Sequence, residues 1–196
     1  MNHSVETASH TALVLTWILL GGLFTANALR VYRARRADPK GEAGRTRDRR
    51  GTVGMLLEGV GLFFAWLPRN PARQPPDWLL LTGVIIAFVS LLLAWIALRH
   101  LGSQWRIQAV VTDVHELVTT GPYSVVRHPI YTSLMGMALA TAIVVSTPSF
   151  TLLAMAIYIA GTEIRVRAED RLLAARFGAA AREYQSRVAA YIPYLR

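Results

Sequence analysis

Apolar residues come in blocks along this chain. Residues 11–29 carry no charge and, at about 19 positions, have the length needed to cross a hydrocarbon core. Residues 53–67 make a second, shorter block with Glu58 inside it, and residues 79–98 a third that is uncharged. Two more short blocks, 133–147 and 150–162, are divided at Pro148. Each alone is short for a span at about 1.5 Å of rise per residue. Together they read as a helical hairpin whose turn reaches the far side, with tilt and local thinning absorbing the mismatch. From residue 163 the pattern becomes basic and amphipathic, with Leu173, Phe177, Tyr184 and Val188 near one helical face, most simply a packing face. The pattern predicts an all-α polytopic membrane protein with about five transmembrane helices. One domain covers residues 1–196, with three spans and a basic loop in 1–100.

Composition supports this. Hydrophobic residues make up 53% and charged ones 17%, and mean hydropathy is +0.34, above the ordinary soluble balance. The formal charge of +9 would suggest nucleic acid in a soluble protein. Here nine basic residues crowd between Arg30 and Arg50, beside the first apolar block and among glycines 41, 44 and 51. A loop that anchors topology and touches anionic lipid explains them without nucleic acid. With no cysteine, disulfides and thiol nucleophiles are excluded. No Lys or Arg precedes Arg30, so the first block lacks the positive start of a secretory signal and reads as a retained span. Pro68, Pro71, Pro75 and Pro76 break any helix after the second block.

The uneven spread of basic residues predicts an orientation in the inner, cytoplasmic membrane. The N-terminus lies outside, and the basic loop, the connector 101–132 and the C-terminal segment share the cytoplasmic face.

That connector holds the densest run of polar, aromatic and turn residues, from His115 through Gly121-Pro122-Tyr123 to Arg127-His128-Pro129-Ile130-Tyr131. Pro129 biases His128 toward extended backbone and suits the first turn of a helix, so residues near 128 meet a helix N-terminus that favours an anionic group. The spacing of His115, Glu116 and His128 matches no metal-binding motif. Arg165 and Glu169 are four apart, facing one way if helical: either a modest surface ion pair or a cation and an anion projecting into a cavity. Glu163, Arg167, Asp170 and Arg171 read as a solvated face. Glu58 is either a functional carboxylate within a span or one that sits near a helix end or pairs with an arginine.

Gly121-Pro122-Tyr123 with Arg127-His128-Pro129-Ile130-Tyr131, preceded by His115-Glu116-Leu117-Val118, resembles the isoprenylcysteine carboxyl methyltransferase family. So do Glu169-Asp170-Arg171-Leu172, Phe177-Gly178, Tyr184, Arg187-Val188 and Ile192-Pro193 toward the C-terminus. The resemblance covers about residues 101–193 and extends to phospholipid N-methyltransferases, which share the architecture. It implies S-adenosylmethionine as methyl donor, held in a cytoplasmic-face pocket of a membrane-embedded helical fold, with residues 101–196 as the cofactor and catalytic region. The positions matching the family's cofactor contacts are Gln108, His115, Glu116, Leu117, Val118, Tyr123, His128, Pro129, Ile130, Tyr131 and Glu169. Arg165 matches its substrate-carboxylate contact and is the expected catalytic residue. Ser133 and Ala181 depart from a usual glycine and tyrosine, and Asp170 shortens the second acid of a Glu-Glu pair.

The reaction this implies is displacement of a methyl from the sulfonium onto a lipidic acceptor, first a prenylcysteine-like carboxylate. A carboxylate is ionised near pH 7 and needs no general base, so positioning carries the catalysis. The alternative is N-methylation of a phosphatidylethanolamine-type lipid. A non-enzymatic scaffold or small transporter explains the apolar blocks but not the gathering of polar motifs on one side.

Overall fold

A computed structural model describes residues 2–37, 46–68, 75–102, 105, 110–111 and 116–193. Among these, six helices account for nearly all regular structure: α1 (Asn2–Ala37), α2 (Arg50–Ala65), α3 (Asp77–Leu101), α4 (Pro129–Val145), α5 (Pro148–Phe177) and α6 (Ala179–Arg187). The strands are two residues each, β1 (Thr46–Arg47) pairing antiparallel with β2 (Val110–Val111). A 3-10 turn, Gly121–Ser124, precedes α4.

Helix ends follow local chemistry. Pro76 lies just before α3, and Asp77 opens it with an acidic residue, favourable at the positive end of the helix dipole. Pro129 and Pro148 occupy the first positions of α4 and α5, where a missing N–H costs nothing. Thr147 caps α5 by accepting from the Phe150 N–H at 3.4 Å. α5 stops at Gly178, whose φ of +57° suits a residue without a Cβ.

Packing is pairwise. α2 runs along α5, α3 along α4, and α1 rests on α3, with α4 also touching α2 and α5. Leu13 and Leu20 of α1, Leu80 and Ala87 of α3, and Met137 and Val144 of α4 form the main apolar core. Trp17 Nε1 donates to Thr141 Oγ1 at 2.9 Å, tying α1 to α4. At the hairpin turn, Ser146 Oγ meets the Phe64 and Leu67 carbonyls at 3.0 and 2.8 Å, satisfying acceptors at the C-terminal end of α2.

Much apolar surface faces outward. Ile18, Leu56, Ile85, Phe88 and Leu152 are each more than 60% exposed, so their solvent is not water. Residues 4–34, Asp77–Leu101 and Pro148–Phe177 are long and apolar enough to cross a membrane, and at most a third of each apolar window is buried within the protein. The protein is an integral membrane protein.

Against the expectation of about five spans, three helices are long and apolar enough to cross a membrane and two, α2 and α4, are shorter. α2 has 16 residues and α4 has 17, which reach only about 24–26 Å at 1.5 Å per residue. The hairpin is also unequal. Its first arm starts at Pro129, four positions before the apolar block. Its second is one 30-residue helix in which the apolar block and the basic stretch beyond Glu163 are continuous. No proline stands between Pro148 and Gly178, and the one interior glycine, Gly161, is tolerated, so backbone hydrogen bonding carries the helix through the change of polarity.

Candidate cofactor and acceptor site

The 3-10 turn starts at Gly121, with φ +61°. That conformation suits glycine, and the His100 ring packs over the position, 2.3 Å from where a Cβ would stand. The turn delivers Tyr123 into the interior, 6% exposed. Beyond it the chain is extended: His128 has φ −126° and ψ 61°, as a residue before proline should avoid the helix. The segment pairs there with the tail. Val126 bridges to Ala189 in parallel, and the Arg127 and His128 N–H groups donate to the Ala189 and Ala190 carbonyls, both at 2.8 Å. Two stretches some sixty positions apart in sequence are thus joined by backbone.

Side chains extend the junction onto α5. Asp170 receives Arg127 Nη2 at 2.8 Å on one oxygen and His128 Nε2 at 2.9 Å on the other. Arg127 Nη1 also donates to the Gln185 carbonyl at 2.9 Å and to that of Val188. His128 Nδ1 lies 3.7 Å from Glu169 Oε2. Tyr131 donates its hydroxyl to the same oxygen at 2.8 Å, and its ring stacks on His128 with centroids 5.5 Å apart. The Arg165 guanidinium carbon sits 4.6 Å above the centre of the Tyr131 ring, in the range of a cation–π contact. Arg165 Nη1 donates to Glu58 Oε2 at 2.5 Å, and Thr162 donates to Glu58 Oε1 at 3.0 Å.

Tyr184 of α6 closes one side by donating to the Tyr123 carbonyl at 2.5 Å. Burial pushes the Tyr184 hydroxyl up to about 12; Arg127 opposes this and Asp170 adds to it. Burial raises Tyr123 too, with the Glu169 and Tyr184 charges adding, so both phenols are neutral near pH 7. The Tyr123 hydroxyl and Arg127 Nε are buried without a hydrogen-bond partner. Such groups are costly unless something else satisfies them.

They border a cavity of about 430 Å³, within the usual range for small-molecule and cofactor sites. Arg127, His128, Glu169, Arg165 and Glu116 supply its polar wall. Phe24, Met55, Leu134, Ile130 and Leu173 supply an apolar one. Of the positions expected from sequence, Glu116, Leu117, Val118, Tyr123, His128, Ile130, Tyr131, Arg165 and Glu169 all line it. Pro129 is buried and starts α4, but it is not a lining residue. Gln108 and His115 lie outside the described residues.

Asp170 corrects the sequence reading. It is not part of a solvated face, with only 18% of its side chain exposed and two basic partners. The hint lay in Arg127 and His128, two adjacent donors needing an acceptor from elsewhere. Arg127 and Tyr184 also line the cavity. Glu58 settles on its second reading: it pairs with an arginine, and the arginine is Arg165. Ser133 does not line the cavity; its hydroxyl turns back to the Ile130 carbonyl at 2.7 Å. Ala181, within α6, is fully buried.

Uncharacterized protein YpbQ of Bacillus subtilis (strain 168) is 31% identical over 110 residues. That alignment takes in 52% of this chain and 60% of YpbQ, so the chain spans less than two thirds of that relative. Residues 81–175 match the Isoprenylcysteine carboxyl methyltransferase (ICMT) family, a stretch from early α3 almost to the end of α5 that contains the 3-10 turn, α4, Arg165, Glu169 and Asp170. Over that segment the chain is similar to the isoprenylcysteine carboxyl methyltransferase family.

Proposed function

We propose that the protein is an S-adenosylmethionine-dependent methyltransferase for a lipidic acceptor, working at the cytoplasmic face of the inner membrane with its N-terminus outside. The observation that carries this reading is one cavity lined by residues 116–118, by Tyr123, His128 and Tyr131, and by Arg165 and Glu169 of α5. Its two characters suit two ligands: the polar wall a charged cofactor, the apolar wall a hydrocarbon chain.

The residues present fit the cofactor. Glu169 and Glu116 offer carboxylates to a ligand bearing positive charge. The partnerless Tyr123 hydroxyl and Arg127 Nε offer donors to its oxygens and nitrogens. Leu117, Val118 and Ile130 supply apolar wall. When bound, the cofactor supplies an electrophilic methyl carried on a sulfonium.

The preferred acceptor is a prenylcysteine-like carboxylate. It is already ionised at neutral pH, so the chain need not remove a proton. Arg165 orients it, Tyr131 fixes the face of the guanidinium, and the apolar wall excludes water that would solvate the nucleophile. One observation favours a second reading, N-methylation of a phosphatidylethanolamine-type lipid: the Arg165 charge is met by Glu58, while Glu169 and Glu116 suit an ammonium group.

Labelled cofactor offered with farnesylated N-acetylcysteine and, separately, with phosphatidylethanolamine vesicles tests both. Ester formation on the prenylcysteine is expected, and label on the amine alone transfers the assignment to the second reading. Well-folded protein that fails to bind S-adenosylhomocysteine in calorimetry is a scaffold or transporter instead.

A further inference from the structure

We infer that Glu58 is a positioning residue for Arg165, through which α2 sets the place of the acceptor. This rests on the proposed role of Arg165. Glu58 lies outside the segment matched to the family and behind the cavity wall, in a helix whose lining residue is the apolar Met55.

α2 grips Arg165 at two points one turn apart. At the first, Gly54 brings the α2 backbone onto the arginine stem: a Cβ on Gly54 would stand 2.6 Å from Arg165 Cγ and 2.5 Å from the Gly161 carbonyl oxygen. At the second, Glu58 takes the guanidinium at 2.5 Å. Residues i and i+4 share a helix face, so one face of α2 fixes both stem and head.

Glu58 is itself held still. Thr162 occupies its other oxygen, and the residue is 6% exposed. The seam around it is closed by Gly61 and Gly161, where a Cβ would lie 2.8 Å and 2.6 Å from backbone oxygens of the facing helix. A carboxylate so confined cannot swing away as a gate. It aims Arg165 across the Tyr131 ring, and Tyr131 in turn reaches Glu169. The acceptor's cation and the cofactor's carboxylate are therefore set at a fixed separation by a chain of contacts that begins on α2.

The test uses the full chain in lipid nanodiscs, with Glu58→Gln, Glu58→Asp and Thr162→Val. Thr162→Val loosens Glu58 without removing its charge, and serves if loss of the carboxylate prevents folding. S-adenosylhomocysteine affinity is read by calorimetry, and KM and kcat with farnesylated N-acetylcysteine. In Glu58→Gln, cofactor-product affinity stays within about twofold of wild type while kcat/KM for the acceptor falls about tenfold or more, the pattern of lost acceptor positioning. Glu58→Asp recovers part of the loss, and Thr162→Val shows a smaller loss of the same kind. The inference is overturned if acceptor kinetics are unchanged in all three. It is equally overturned if cofactor affinity, acceptor kinetics and melting temperature fall in parallel, since Glu58 is then a structural prop. Wild-type protein that binds S-adenosylhomocysteine but does not methylate the prenylcysteine defeats the acceptor assignment and this inference together. An active wild type with indifferent variants defeats the inference alone.

Discussion

Asp170 Oδ1 lies 2.9 Å from His128 Nε2, across the junction between α5 and the extended segment before α4. Its other oxygen holds Arg127, whose second nitrogen binds the α6 region. One carboxylate thus ties three parts of the cavity wall. Asp170→Asn should lower stability by about 1.5–3 kcal/mol, the usual worth of hydrogen bonds to charged groups. It should also weaken S-adenosylhomocysteine binding. Thermal melting and calorimetry on the same preparation check both. An unchanged affinity alongside a lower melting point would restrict Asp170 to folding.

Arg165 and Glu169 stand one turn apart on α5 but have separate proposed tasks. Arg165→Ala should keep affinity for S-adenosylhomocysteine and lose about a hundredfold or more in kcat/KM, as removal of an oriented charged donor does. Glu169→Ala should lose cofactor binding and activity together. Equal loss of S-adenosylhomocysteine binding in the two variants would show that these tasks are wrongly divided.

The Tyr184 hydroxyl is raised to about 12 from the ordinary 10.0. A group whose folded-state value is raised keeps its proton longer when folded than when unfolded. Its contribution to stability is complete below about pH 10 and is lost as pH rises toward 12. Wild-type protein should lose stability across that window, and Tyr184→Phe should lose less there. Melting temperatures between pH 8 and 11.5, with phenolate absorbance followed in parallel, measure the difference.

The seam between α2 and α5 tolerates no added methyl. Gly161→Ala places a Cβ 2.6 Å from the Gly54 carbonyl oxygen and 2.8 Å from the Glu58 nitrogen, both backbone atoms. The helices must separate, at a cost of about 1–3 kcal/mol for overpacking. Gly59→Ala, with nothing within 4 Å, should be neutral or slightly stabilising. Melting of the two variants side by side decides this, and equal values would contradict the close approach.

Much of the site was legible along the chain. Gly121 and Pro129 announce a turn and a helix start by backbone chemistry alone, and both occur where expected. Tyr123, His128, Tyr131, Arg165 and Glu169 were singled out by their resemblance to a family pattern, and one cavity collects all five. Asp170 was misread because its neighbours in sequence are charged. On a helix, successive residues point about 100° apart, so Glu169 facing the cavity gave no warning that Asp170 would find Arg127. Glu58 could be read two ways, since a carboxylate in an apolar block declares a need for a partner but not which one.

The order of residues suffices for whatever depends on near neighbours. Block length and hydropathy mark the long membrane-crossing helices, while prolines and glycines mark where helices begin and end. These follow from steric limits on the backbone and from the cost of placing peptide groups in hydrocarbon. Meetings between helices obey another rule. Glu58 and Arg165 are 107 positions apart, and they touch because glycines let two backbones come close enough for a carboxylate on one to reach a guanidinium on the other. That closeness belongs to the packed helices together, and no periodicity within either strand of sequence records it.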